Sequence, residues 1–189
     1  MHAVILATDE FEDRELTYPL SRLEEAGYEV DIAVPARDRE YWFEHTTDEP
    51  LDLSDEEPRK ITGKHGHVFQ GDVFIEDLAI EEYDVAIVPG GASPELLRTY
   101  APASTDFLKE FDEAGKTIGS ICHGPQLLIS AGIVENRTVT AVWRVGIDLE
   151  NAGAKFVDQP VAVDSNLVTS RVPKDLPDLM REVLDVASS

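Results

Sequence analysis

The chain has a single cysteine, Cys122, and that scarcity excludes an internal disulfide and any multi-cysteine zinc cluster. Basic residues are scarce too. Lysine and arginine number 16 against 38 aspartates and glutamates, giving a formal charge of −22, a field that repels nucleic-acid phosphates and anionic lipid. No nucleic-acid partner is expected. Apolar residues make up 42% of the sequence but fall in short segments, and none is long enough to cross a bilayer. The opening stretch MHAVILATDEFED has no basic leader and turns acidic where a signal peptide would be cleaved. A cytoplasmic protein with no membrane partner is expected.

The 189 residues are enough for one full-sized domain and too few for two, so a single domain over 1–189 is expected. The carboxylates are scattered through every predicted helix instead of forming one tail. That distribution fits a whole surface adapted to high salt, where screening relieves self-repulsion.

HAVILAT (2–8), YEVDIAVP (28–35), DVAIVPGG (84–91) and KTIGSI (116–121) read as strands, three of them continuous apolar runs of the kind buried on both faces. Between the first two, Leu16, Leu20 and Leu23 recur at helical spacing and Gly27 supplies a stop. Residues 36–60 are densely charged with no sustained period, an acidic surface excursion. ITGKHGHVFQGDVFIEDL alternates around glycines and predicts a hairpin or edge strands. Helices follow at SPELLRTY and STDFLKEFDEAG, with Ser93 and Ser104 as N-caps and Gly115 as a stop. CHGPQLLISAG turns into a helix, RTVTAV reads as a strand, DLENAG ends a helix, VAVDSNLVTSR reads as a hairpin, and LPDLMREVLDVA is an amphipathic C-terminal helix. Strands alternating with helices specify an α/β fold with a mostly parallel sheet covered on both sides.

In such a sheet, reactive groups gather where strands end and helices begin. DEFED, PGG and CHG all fall at that edge. A thiol on the first residue of a helix faces unpaired amides and the positive end of the dipole, so Cys122 is expected to be nucleophilic near neutral pH. The alternative is a small buried hydrophobe, the common fate of a lone cysteine. His123 is the nearest base, although neighbours at a turn need not aim at each other. The histidines stand at 2, 45, 65, 67 and 123, so none downstream of the thiol's own neighbour can serve it. Glu12, in the loop after the first strand, is the candidate carboxyl against the sulfur; its alternative is an ordinary acid at a helix start. Gly90 and Gly91 offer amides for an oxyanion. Glu95 reads as a first-turn helix acid. His65 and His67 alternate along a probable strand, a geometry open to a metal but commoner as surface decoration, and no metal is expected.

Taken together, DEFEDRELTYPLSRLEEAGYEV, ITGKHG, VPGGASPE, SICHGPQLLISAG, NAGAKFVD and VTSRVPKDLPDLMRE run in order through nearly the whole chain and resemble the ThiJ/PfpI family, most of all its archaeal PfpI type. The resemblance implies a flavodoxin-like three-layer sandwich of the class I glutamine-amidotransferase kind. It implies Cys122 as nucleophile on a strained elbow, Glu12 as its carboxylic partner, and Gly91 with the amide of residue 123 as oxyanion site. His123 matches the family histidine, and Glu95 matches the acid that a neighbouring subunit contributes to it, so self-association as a dimer or hexamer is implied. Relative to short archaeal relatives, the acidic stretch at about 38–58 looks like an insertion, and VTAVWRVG lacks the expected tyrosine-proline pair. The activity implied is cofactor-free: a glyoxalase III or deglycase acting on small aldehydes or glycated groups, methylglyoxal going to lactate. A cysteine peptidase of PfpI type and a redox-sensing stress protein or holdase are the rivals.

Overall fold

A computed structural model describes residues 1–36 and 57–189. The acidic stretch at about 38–58 therefore lies almost wholly outside the described residues. Seven strands form one sheet in the order β10-β11-β7-β6-β1-β2-β5. These are β1 (His2–Leu6), β2 (Glu29–Val34), β5 (Val73–Phe74), β6 (Val85–Val88), β7 (Thr117–Ile121), β10 (Val161–Asp164) and β11 (Leu167–Ser170). Every pairing is parallel except β10 with β11, which is the expected hairpin.

The apolar runs are continuous because both faces of the sheet are covered. Along β1, Ala3 and Ile5 enter one core, with Leu16 and Leu23 of helix α1 (Asp13–Glu25) and Leu179, Met180 and Val183 of helix α6 (Leu176–Ala187). Val4 and Leu6 enter the other. There they meet Leu97 of α2 (Ser93–Tyr100), Leu108 and Phe111 of α3 (Pro102–Glu113), Leu127 of α4 (Pro125–Ser130) and Leu149 of α5 (Gly146–Asn151). Strand alternation thus sends neighbouring residues into opposite layers, and the flavodoxin-like α/β sandwich is the observed fold.

Two short sheets lie outside the main one: the hairpin β3 (Lys60–Thr62) with β4 (Val68–Gln70), and the parallel pair β8 (Thr138–Val139) with β9 (Lys155–Phe156). Both expected serine caps are corrected. Ser93 is the first helical residue behind Ala92, and its buried hydroxyl accepts the Thr8 amide at 2.9 Å. Ser104 lies inside α3 and donates to the Ala101 carbonyl at 2.6 Å. In both helices a proline near the start supplies the N-terminal signal instead. No helix among the described residues is long and apolar enough to cross a membrane.

Candidate active site

Strand β1 is flanked by β2 on one side and β6 on the other, so the chain reverses direction of winding at β1, and a crevice opens at the carboxyl ends there. A cavity of about 320 Å³ occupies it, lined by Glu12, Glu15, Gly91, Glu95, Cys122 and His123 among others. The three segments expected to meet do so. Glu12 donates its amide to the Gly90 carbonyl at 3.2 Å, Ala92 donates to the Glu10 carbonyl at 2.9 Å, and Gly90 comes against the β-carbon of Cys122.

Cys122 has φ of 62°, a left-handed conformation that costs a β-carbon-bearing residue about 1 kcal/mol. Three bonds hold it there. Its amide donates to the Ser170 carbonyl at 3.0 Å, its carbonyl accepts Val142 at 3.1 Å, and Gly124 behind it donates to Ile121 at 2.8 Å. A β-carbon on Gly124 would stand 2.4 Å from the Val88 carbonyl, so only glycine lets the chain turn this close to the sheet. The elbow implied by the resemblance is present.

The helix behind it begins at Pro125, three residues later than expected, so the thiol does not sit on a helix N-terminus. Its proton is correspondingly harder to remove. Burial pushes the Cys122 thiol up to about 12, the neighbouring Glu15 carboxyl adds to the rise, and the amides of His123 and Gly91 pull against it. Desolvation outweighs the amides, so burial works against the thiolate that a helix N-terminus would favour.

The carboxyl against the sulfur is Glu15, not Glu12. Glu15 is fully buried, accepts the Gly90 amide on Oε2 at 2.8 Å, and lies beside Cys122, both side chains pressing on the α-carbon of Gly90. Burial pushes it up to about 8, with the Glu12 charge adding to the rise, while the Gly90 bond, Cys122 and Arg14 oppose it. Its other oxygen, Oε1, is buried with no hydrogen-bond partner among the described residues. Glu12 lines the same cavity but turns to the mouth, where Oε2 lies 3.2 Å from His65 Nε2 and Oε1 accepts Arg14 Nε at 3.4 Å. A signal for Glu15 existed in the sequence: it stands four and eight residues before Pro19 and Leu23, on the buried stripe of α1.

The Cys122 sulfur lies 3.2 Å from His123 Nδ1, so the neighbours do meet. Burial holds His123 below its ordinary value, the charges of Arg144 and Lys64 push the same way, and Glu95 opposes them. Glu95, in the first turn of α2, lines the cavity of its own chain. Of the two glycine amides, that of Gly90 is committed to Glu15, which leaves Gly91 and His123 as the donors aimed at the sulfur. Gly91 has φ of 79°, and a β-carbon there would stand 2.2 Å from the Glu10 carbonyl. His65 and His67 lie in the connection between β3 and β4, not along a strand as expected, and engage Glu12 and Asp13. The VTAVWRVG segment forms a short turn, Trp143–Val145, with Trp143 76% exposed beside Arg144.

Residues 1–186 match the DJ-1/PfpI family. The chain belongs to that family. It is 40% identical over 182 residues to a deglycase of Thermococcus kodakarensis, covering 96% of each chain. To a deglycase of Pyrococcus horikoshii it is 42% identical over 182 residues, again covering 96% of each. Among solved structures, DJ-1 of Schizosaccharomyces pombe superposes with a TM-score of 0.81 at 22% identity, covering 100% of this chain and 93% of that one, a likeness of fold.

Proposed function

We propose that this member of the DJ-1/PfpI family is a cofactor-independent cysteine enzyme of the deglycase or glyoxalase III type, acting on reactive 2-oxoaldehydes or on their early adducts. One observation carries the reading: a strained thiol, a buried carboxyl poised near neutrality and a neutral imidazole meet in one open cavity. The archaeal relatives named deglycases support it.

With methylglyoxal the sulfur adds to the aldehyde carbon. An S–C bond forms, the carbonyl π pair moves to oxygen, and His123 Nδ1, 3.2 Å from the sulfur, takes the thiol proton. The amides of Gly91 and His123 stabilise the oxyanion until that proton reaches it and a hemithioacetal results. Glu15, in its ionised fraction, removes the proton from the former aldehyde carbon to give an enediol and delivers it to the neighbouring ketone carbon, while the hydroxyl proton of the first carbon passes to the former ketone oxygen, leaving a thioester carbonyl beside a new alcohol. The first carbon is oxidised and the second reduced, so the electrons balance within the substrate. Water then cleaves the resulting thioester, lactate leaves, and the thiol is restored. A carboxyl near pH 8 is suited to such a two-way transfer. In the same proposal, Glu95 of a second copy would add an acid to His123 in an oligomer, and sedimentation of Glu95→Gln against the unmodified chain reads that assembly.

The test is lactate release from methylglyoxal and from methylglyoxal-treated N-acetyl-lysine, with casein cleavage and peroxide uptake by mass measured alongside. Lactate lost in Cys122→Ala supports the reading. Casein cleavage dependent on Cys122 without lactate would replace it by a peptidase, and stoichiometric oxidation without turnover by a redox sensor.

A further inference from the structure

One buried charge at the site takes no part in the chemistry above. Asp13, the first residue of α1, is 2% exposed, and its carboxylate is directed at the turn of the β3–β4 hairpin. Oδ2 accepts the His65 amide at 2.7 Å; Oδ1 accepts the His67 amide at 2.9 Å and meets His67 Nδ1 at 2.6 Å. Burial pushes this carboxyl up, but the bonds from His65 and His67 together outweigh it and hold Asp13 at about 2. The fit is close on both sides. A β-carbon on Gly63 would stand 2.7 Å from the Asp13 carboxyl carbon, and Gly63 itself donates to the His67 carbonyl at 2.8 Å.

The hairpin is fastened to the loop before α1 by further bonds, among them Glu10 to the Thr62 carbonyl at 2.8 Å, Thr62 to Asp9 Oδ1 at 2.8 Å and Lys64 to the Phe11 carbonyl at 2.9 Å. The same loop is bonded on its other side to Gly90 and Ala92, and Glu15 follows Asp13 by two residues. Residues 9–15 are therefore a bridge with the hairpin on one bank and the oxyanion loop on the other.

We infer that Asp13 is a positioning residue: by clamping the hairpin turn to the start of α1 it fixes where Glu15 meets the Cys122 sulfur and holds Lys64 at the rim of the cavity. The inference rests on the reading of Cys122 and Glu15 as the reacting pair. A carboxylate serves where an amide would not, since both of its oxygens face donors and an Asn side chain would turn an NH₂ toward one of them. Misplacement of a reacting group by about 1 Å is enough to cost up to about a hundredfold in rate.

Three variants test it: Asp13→Asn, Gly63→Ala, which crowds the clamp without changing charge, and His67→Ala, which keeps both amide bonds. Each is read by lactate turnover, by the pH midpoint of turnover, and by the rate of Cys122 alkylation with iodoacetamide. The groups that set the midpoint are Glu15 with Glu12 and Arg14 on its own element, Cys122 and His123 on the elbow, and Lys64, Arg144 and Glu95 around His123. Asp13→Asn and Gly63→Ala are expected to lower kcat by at least about tenfold, to move the midpoint, and to change the alkylation rate in the same direction as each other, with His67→Ala within about threefold of the unmodified protein. If Asp13→Asn does not fold, Gly63→Ala carries the test. Alkylation needs no substrate, so it decides the matter even where no lactate forms. A folded Asp13→Asn or Gly63→Ala with unchanged alkylation rate and pH midpoint overturns the inference.

Discussion

Glu15 and Cys122 lie side by side in the crevice, both against Gly90, and the charge of the carboxylate raises the proton affinity of the thiol. A carboxylate beside a thiol disfavours the thiolate, so an uncharged Glu15 isostere should ease ionisation of the sulfur. Glu15→Gln is therefore expected to alkylate with iodoacetamide several-fold faster than the unmodified protein above pH 8. Its lactate turnover is expected to fall at least about a hundredfold, the scale of a lost general base. Opposite signs in the two assays separate a proton-transfer role from simple thiol activation; parallel losses would contradict the proposed part of Glu15.

The same carboxyl ties stability to pH. Glu15 titrates at about 8 in the folded chain against 4.5 for an ordinary glutamate. Between those values the folded state holds a proton that the unfolded state has released, so stability falls as pH rises. The contribution is complete below 4.5 and lost once pH passes about 8. Melting temperatures of Glu15→Gln and the unmodified protein should accordingly diverge from pH 4.5 to 8, the variant gaining by an amount on the order of a few kcal/mol, and then run parallel. A constant offset across that window would mean that the carboxyl is not buried as described.

Strain at the elbow gives a second stability measurement. With φ of 62° at Cys122, removing the β-carbon should relieve what removing only the sulfur does not. Cys122→Gly is expected to be more stable than Cys122→Ala by about 1 kcal/mol, with both inactive, as read by urea denaturation. Alanine equal to or better than glycine would place the elbow in an ordinary conformation.

The main strands and the two cores were legible because each strand had to be apolar on both faces, and HAVIL, VAIV and TIGSI have no other comfortable place. The hairpin of residues 161–170 and the helix at 176–187 were equally plain from alternation and from helical periodicity. Cys122 was legible because a lone thiol followed by glycine at a strand end is a local signal. Residues whose roles depend on three-dimensional crossing were not. Ser93 has the chemistry of a cap, yet its hydroxyl is claimed by Thr8, 85 positions away in sequence. Asp13 is one carboxylate among 38, and only the hairpin folding back onto α1 distinguishes it.

Glu12 and Glu15 stand three positions apart, and only Glu12 stood out in the sequence as the carboxyl against the sulfur. Placing Glu12 at the sulfur assumed that a residue in the loop after β1 reaches inward, whereas the loop is held by its backbone: the Glu12 amide is bonded to Gly90, and the side chain is drawn to Arg14 and His65 at the rim. The first turn of α1 then brings Glu15 round to the buried face, where the Gly90 amide fixes it. Glu12 does reach Glu15 through its charge, which adds to the rise in the proton affinity of Glu15. Glu12→Gln is therefore expected to keep turnover within about fivefold while moving the acid limb of the pH–rate profile to lower pH, because one like charge beside Glu15 is gone. Glu15→Gln, in contrast, is expected to remove the limb with the activity. Profiles of lactate formation for the two variants between pH 5 and 10 check this directly. A hundredfold loss in Glu12→Gln with near-normal turnover in Glu15→Gln would reverse the assignment and return the reacting carboxyl to the loop.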